Sequence, residues 1–166
     1  MQPNPLVGNA PDFGAMPEFL KIRPYWACYN LEPKGGGKTN KIPCDARTRR
    51  FLRANHPEDW CPFDECRAAV EAGKFHGVGI LLNGDGLVGI DVDNVRAAVE
   101  QFSGLRQLIA EARRQGLYVE LSPSRTGVHI LCHGDIGTSG ARKSLDGCGV
   151  EVYARDRFLT VTGWRC

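Results

Sequence analysis

The sequence predicts an α+β fold, an antiparallel sheet with helices on one face. Three observations lead there. Short apolar runs with period-two alternation recur along the chain, as half-buried strands require. Two longer stretches, 62–73 and 94–115, carry apolar residues at helical spacing. The resulting order, β-α-ββ-α-ββββ, groups strands with one another, which is the α+β pattern.

Residues 1–17 are rich in Pro and Gly and read as a flexible N-terminal tail. Glu18 to Ile22 reads as one helical turn, ended by Pro24. Tyr25 to Tyr29 is aromatic enough to suit a pleated surface, so it is the first strand. Glu32 to Arg53 reads as a Gly-rich basic loop. From Lys34 to Arg53 it holds seven basic residues (Lys34, Lys38, Lys41, Arg47, Arg49, Arg50 and Arg53) against Asp45 alone, a local charge of +6. A solvated loop and a phosphate-facing loop both fit that cluster. Gly37-Lys38-Thr39 looks like the end of a Walker A loop, but Glu32 stands where a Gly is needed and Pro43 opposes the following helix.

Pro62 to Gly73 reads as a helix with Cys66, Ala69 and Val70 on its apolar face. Gly77 to Leu82 and Leu87 to Asp93 read as two strands of a hairpin turned at Asn83-Gly84-Asp85-Gly86. Asn94 to Gln115 is helical, interrupted near Gly104. Tyr118–Ser122, Val128–Cys132, Val150–Tyr153 and Phe158–Thr162 complete the strands.

Size and composition bound the function. The chain has 166 residues, 42% hydrophobic and 24% charged, which suffices for one domain with a core and excludes disorder over most of the length. No apolar run approaches the ~18–20 residues that cross a bilayer. The first residues lack the charged start and apolar centre of a secretory signal. A net charge of +2 neither demands nor excludes nucleic acid. The seven cysteines are odd in number and scattered, which points to reduced thiols in a cytoplasmic protein. A zinc site built from His56, Cys61, Cys66 and His76 is the sharper alternative, but it has no C-x2-C pair.

The charges within the strands are the informative feature. Side chains alternate across a sheet. Val88, Ile90 and Val92 share one face, which leaves Gly89, Asp91 and Asp93 on the other. By the same rule His129 lies opposite Val128 and Ile130, and Glu151 lies opposite Val150 and Val152. If helices cover the valine faces, Asp91, Asp93, Glu151 and His129 collect on the opposite face. Asp91 and Asp93 are roughly 6.6 Å apart at Cα. Carboxylates about 5 Å apart repel by roughly 3 kcal/mol at an effective dielectric near 20. Oxygen ligands select hard divalent cations, so Mg²⁺ or Mn²⁺ is the expected partner, and such a cluster can hold two. His129 and His133 lie four strand residues apart, roughly 13 Å, too far for joint ligation. The turn Ser122-Pro123-Ser124-Arg125-Thr126-Gly127 is small and rich in donors, suited to phosphate oxygens.

These residues also form three ordered motifs. They are Gly89-Ile90-Asp91-Val92-Asp93, then Glu120-Leu121-Ser122-Pro123-Ser124 running on to Gly127-Val128-His129-Ile130, then Val150-Glu151-Val152-Tyr153 with Arg157-Phe158 and Thr162-Gly163. Together they resemble the archaeo-eukaryotic primase superfamily, and most of all the bifunctional primase–polymerases of phages and plasmids. Lys41-x-Pro43, Trp60-x-x-Phe63 and Gly77-x-Gly79-Ile80 add to the likeness, which covers roughly residues 20–163.

The resemblance implies an RRM-like catalytic sheet with a smaller αβ lobe over residues 18–166. It implies a metal-dependent, template-directed nucleotidyltransferase, a DNA primase and polymerase in replication of phage, plasmid or mobile-element DNA. Asp91, Asp93 and Glu151 would hold two divalent ions. His129 would contact the triphosphate of the incoming NTP or dNTP, Ser124 matches a residue of the phosphate-binding turn, and Arg157 matches a basic residue that would lie on phosphate or template. Apart from the resemblance, the +6 charge of the basic loop points Lys41, Arg49 and Arg50 to the backbone of a DNA template. The implied setting is the cytoplasm of a prokaryotic or phage-infected cell, with no membrane partner. Relatives commonly carry a Gly where this chain has Arg125, a departure expected either to add a phosphate contact to the nucleotide or to stiffen the turn. They also continue past the equivalent of Cys166 into a helical priming domain and often a helicase, so the catalytic domain is expected to be incomplete at its C-terminal end. Two other readings compete: an inactive nucleic-acid-binding module of the same fold, and a metal-dependent phosphodiesterase using the same carboxylates.

Overall fold

A computed structural model describes residues 10–36, 39–95, 103–138, 140–145 and 148–166. The chain forms two compact units. One runs to Leu81 and takes in Phe158–Thr162; the other comprises Leu82–Arg157 and Gly163–Cys166. The described elements are helices and mostly antiparallel strands, an α+β fold. No described helix is long and apolar enough to cross a membrane.

The first unit carries α1 (Glu18–Lys21), β1 (Trp26–Pro33), β2 (Thr39–Cys44), a 3-10 turn at Pro57–Asp59, α2 (Phe63–Glu71) and β3 (Gly77–Asn83). Its sheet has the order β2-β1-β3-β9, where β9 is Arg155–Val161. Phe63, Cys66, Ala69 and Val70 form the buried stripe of α2. Trp26 is fully buried and meets Phe63 edge-on, with ring centroids 4.9 Å apart. Its indole N–H donates to the Leu20 carbonyl (3.2 Å), so the core satisfies its one polar atom. Of the segment expected to be a loose tail, Met16 is buried and Asp12 N–H donates to the Thr162 carbonyl (2.8 Å).

Two readings of this unit need correction. The basic segment is not one loop. Its middle is β2, antiparallel to β1 from Cys28↔Cys44 to Pro33↔Thr39. Thr-Asn-Lys-Ile-Pro-Cys carries no apolar alternation because β2 ends the sheet order, where Lys and Pro are tolerated. Asn83–Gly86 does form a turn, with Asp85 N–H on Asn83 Oδ1 (3.1 Å) and left-handed glycines at 84 and 86. It closes no hairpin, because β3 and β4 (Leu87–Val92) belong to different sheets and β9 takes the place beside β3.

Gly79 shows how close that pairing is. A Cβ there would lie 2.5 Å from the Phe158 ring and 2.6 Å from the Leu159 carbonyl oxygen. The ring could turn, but the backbone oxygen is fixed by the strand. Gly79→Ala is therefore expected to cost about 2 kcal/mol. Thermal denaturation should show it as a drop of roughly 4–8 °C in Tm.

The second unit holds β4, α3 (Ser103–Arg114), β5 (Tyr118–Leu121), β6 (Val128–His133), β7 (Gly140–Leu145) and β8 (Cys148–Tyr153). The sheet order is β5-β6-β4-β8-β7, and every assigned pair is antiparallel. Leu108, Ile109 and Ala112 of α3 pack with Ile90, Val92, Val119, Val128, Ile130 and Val150. The helix thus covers the valine face, as the alternation predicts. Gly104 lies in the first turn of α3 and does not interrupt it; part of the expected helix, 96–102, lies outside the described residues. The sequence reading missed β7, a polar strand at the end of the sheet order.

Candidate functional site

The register of the second sheet lines up one transverse row. Glu120 faces His129, His129 faces Asp91, Asp91 faces Glu151, and Glu151 faces Arg142. All five lie on the face away from α3, since their sequence neighbours Val119, Val128, Ile130, Val92 and Val150 pack beneath that helix. Asp93 follows immediately after β4. It is exposed, and its N–H donates to the Gly149 carbonyl (3.0 Å).

Each group in the row has defined partners. His129 Nδ1 lies 3.1 Å from Glu120 Oε1, and Nε2 lies 3.6 Å from Asp91 Oδ1. Glu120 is fully buried, and its Oε2 accepts from the Tyr118 hydroxyl (2.7 Å) and the Gly163 N–H (2.8 Å). Glu151 Oε1 pairs with Arg142 Nε (3.0 Å). Glu151 Oε2 accepts from the Tyr153 hydroxyl (2.7 Å) and Arg157 (3.2 Å). Burial, then the bond to Glu151, pushes the Tyr153 phenol up, so it stays a donor at neutral pH. The Arg157 guanidinium also lies 4.2 Å from the Tyr153 ring centre. A pocket of about 350 Å³ opens here, lined by Arg142, Tyr153, Arg155 and Arg157 among others.

Among the described residues, no three His, Cys, Asp or Glu side chains converge closely enough to hold a metal ion as they stand. Glu151 gives a physical reason, because two arginines and a phenol occupy its carboxylate. The donor chemistry does fit a hard divalent cation. Asp91 and Glu151 offer oxygens from directly opposed positions, and Asp93 follows the end of the same strand. For the zinc alternative, His56 is bonded to Glu58 (2.8 Å) and His76 Nδ1 takes the Leu31 N–H (3.3 Å). All seven cysteines are free thiols.

The Ser122–Gly127 turn joins β5 to β6. Ser122 Oγ takes the Gly127 N–H (3.1 Å) and meets Ser124 Oγ (3.0 Å), which in turn meets Thr126 Oγ1 (2.8 Å). Gly127 is required, since a Cβ would sit 2.7 Å from the Val92 carbonyl oxygen. Arg125 has φ +60°, the left-handed region that glycine favours. Its guanidinium lies 4.7 Å from the Trp164 ring centre, a contact that offsets part of the backbone cost. Lys41, Arg49 and Arg50 belong to the other unit. Lys41 faces Leu31 in the β1–β2 ladder, and Arg49 reaches the Lys74 carbonyl (3.5 Å).

The structure thus brings Asp91, His129 and Glu151 into one row and sets Arg157 beside them. Sequence reasoning missed Glu120 and Arg142 as members. The alternation of Val119 and Leu121 would have found Glu120. Arg142 carried no such signal, because β7 has none.

No family model matches the chain. It is 30% identical over 131 residues to a DNA primase-polymerase of Nitratiruptor phage NrS-1, an alignment covering 76% of this chain and 18% of that protein. The chain therefore spans less than a fifth of the length of the relative it matches. This similarity supports a primase–polymerase relationship.

Proposed function

We propose, from that relationship, that the chain is the catalytic part of a metal-dependent, template-directed nucleotidyltransferase that makes or extends DNA primers. One observation carries the reading: the Asp91–His129–Glu151 row, next to a donor-rich turn, in a chain similar to a phage primase-polymerase. Asp91, Asp93 and Glu151 would hold divalent Mg²⁺ or Mn²⁺. The chemistry such ions supply is charge stabilisation at the reacting phosphate and activation of the attacking hydroxyl. The chain's own groups bind and orient the nucleotide. His129, Ser124 and Arg125 would take triphosphate oxygens. Arg157, paired with Glu151 in the resting site, would exchange that partner for a phosphate.

The engagement of Glu151 by Arg142 and Arg157 favours a second reading, a sheet of this fold that binds nucleic acid without chemistry. One assay separates the two. The chain is given a primed or unprimed template, labelled NTP or dNTP, and Mg²⁺ or Mn²⁺. Incorporation that depends on the ion supports the first reading. Template binding with no incorporation under any of these conditions overturns it. Conversion of labelled DNA to shorter products would instead identify a phosphodiesterase.

The basic segment of the other unit is the proposed template contact. Each side-chain cation withdrawn from a phosphate flattens the plot of log affinity against log salt by about 0.7 for single strands and about 0.9 for duplex. Replacing Lys41, Arg49 and Arg50 together with Gln should flatten it by about 2 for single strands. Binding should weaken equally on all template sequences. An unchanged slope and affinity would assign the segment to a solubilising surface.

A further inference from the structure

We propose that Phe51 is a stacking platform for an unpaired base, so that the basic segment grips single-stranded template in preference to duplex. This rests on, and deepens, the reading of that segment as the template contact. Among the described residues, Ile22 and Phe51 are the large apolar side chains left exposed, Phe51 at 62%. Single exposed apolar residues are common and need no function. What sets Phe51 apart is its setting. It stands in the run Arg49-Arg50-Phe51-Leu52-Arg53, within the segment of charge +6. Arg50 and Arg53 are exposed beside it and, among the described residues, in no ion pair. Ile22 offers no such site. It has no π face, its neighbour Lys21 lies over the Phe63 ring (5.8 Å to its centre), and Arg23 donates to the Phe19 carbonyl.

The fold also holds the ring out. Leu52, the next residue, is fully buried and packs with Ala27 and Leu81. In extended backbone one side chain turned in leaves its neighbour turned out. Hydrogen bonds pin the chain on both sides of Phe51. Asp45 N–H donates to the Arg50 carbonyl (3.0 Å) and Leu52 N–H to the Pro43 carbonyl (2.9 Å), which sets Phe51 directly opposite Cys44. Asp45 closes the intervening turn, its Oδ1 accepting from the Arg47 N–H (2.7 Å) and the Thr48 N–H (3.2 Å). A residue fixed before binding loses little further freedom when a ligand settles on it.

The chemistry of the patch selects the partner. A phenyl ring stacks on the π face of any base, whatever its sequence. Inside a duplex both faces of a base are already covered by its neighbours, so only an unpaired base is open to Phe51. The flanking guanidiniums suit the phosphates of the same strand. A stacked base releases no counterions, whereas each phosphate contact adds to the salt dependence. The two kinds of contact are therefore separable.

The test is binding of the full chain to a labelled mixed-sequence DNA single strand and to the matching duplex, followed by fluorescence anisotropy over a range of salt. Phe51→Ala should weaken single-strand binding at least about fivefold at every salt concentration. Its salt slope and its affinity for duplex should not change. Phe51→Leu keeps an apolar side chain without the ring and should lose as much. Phe51→Trp should keep the affinity, and its added fluorescence should be quenched by the single strand and not by the duplex. Phe51 is exposed, so these variants should melt with the parent. Should Phe51→Ala fail to fold, the contrast between Phe51→Leu and Phe51→Trp carries the same test.

A loss shared equally by single strand and duplex overturns the proposal, as does full affinity in Phe51→Leu. So does unchanged binding by Phe51→Ala when replacing Lys41, Arg49 and Arg50 with Gln flattens the slope; the segment then remains the template contact through phosphates alone. If that triple variant alters nothing while Phe51→Ala loses single-strand affinity, stacking stands and the phosphate role of those three residues falls.

Discussion

Replacing Asp91 and Asp93 together with Ala is expected to abolish nucleotide incorporation and leave the fold intact. The two halves of that expectation come from opposite faces of β4. Val88 and Val92 are buried, and Ile90 packs against the cluster under α3, so the strand is anchored without its carboxylates. Asp91 stands directly opposite Glu151. Two carboxylates in such positions, about 5 Å apart, repel by roughly 3 kcal/mol before His129 and the arginines offset part of it. Without metal the double variant should therefore melt no lower than the parent. Catalysis has the reverse dependence. Metal-held charge stabilisation is worth several kcal/mol, and each 1.36 kcal/mol is tenfold in rate, so the loss should be at least about a thousandfold. Incorporation at the parent rate by a folded double variant would remove these two residues from the site.

His129→Ala should weaken nucleotide binding by about 10- to 100-fold and leave affinity for bare DNA unchanged. A hydrogen bond to a charged group such as a phosphate contributes roughly 1.5–3 kcal/mol, and that range sets the figure. The substitution has a second effect that must be kept apart. It leaves Glu120 Oε1, in a fully buried side chain, without its His129 partner, at a cost of roughly 1–3 kcal/mol in stability. Affinities should be measured well below the melting transition. His129→Gln is the control, because its amide can donate to Glu120 and restore stability without restoring the imidazole. Equal losses for nucleotide and for bare DNA would contradict the triphosphate role.

The polar face was legible because alternation is a local property. Valines at 88, 92, 128, 150 and 152 declare which side is covered, and that alone sets Asp91, His129 and Glu151 on one face; strand pairing then lines them up. Pairing is not local. The Asn83–Gly86 turn has ideal hairpin chemistry, yet nothing in its neighbourhood says that β3 will pair with a strand that begins only at Arg155. The strands at the ends of the sheet orders were the hardest to read. β2 contains Pro43 and β7 contains Arg142 and Lys143, residues an edge tolerates and a propensity argument rejects. Arg142, which neutralises Glu151, was hidden for that reason. The place of Glu120 on the polar face follows from the same alternation, but its burial does not: an acidic residue in a short strand suggests solvent, and donors from Tyr118, His129 and Gly163 are what accommodate it inside.

The pairing of β3 with β9 also dictates an order of assembly during synthesis. As the chain leaves the ribosome, β1, β2 and α2 can form early, but β3 must wait for its second neighbour until Arg155–Val161 has been translated. The five strands of the other sheet lie between them in sequence and can close first. Until β9 arrives, the Gly77–Asn83 strand has an unpaired apolar side. Such an edge is a template for pairing with strands of neighbouring chains, and pairing between strands so far apart in sequence is intrinsically slow. The expected consequence is that slower translation of the intervening segment lengthens the exposure of that edge, which the yield of native protein at different translation speeds would show.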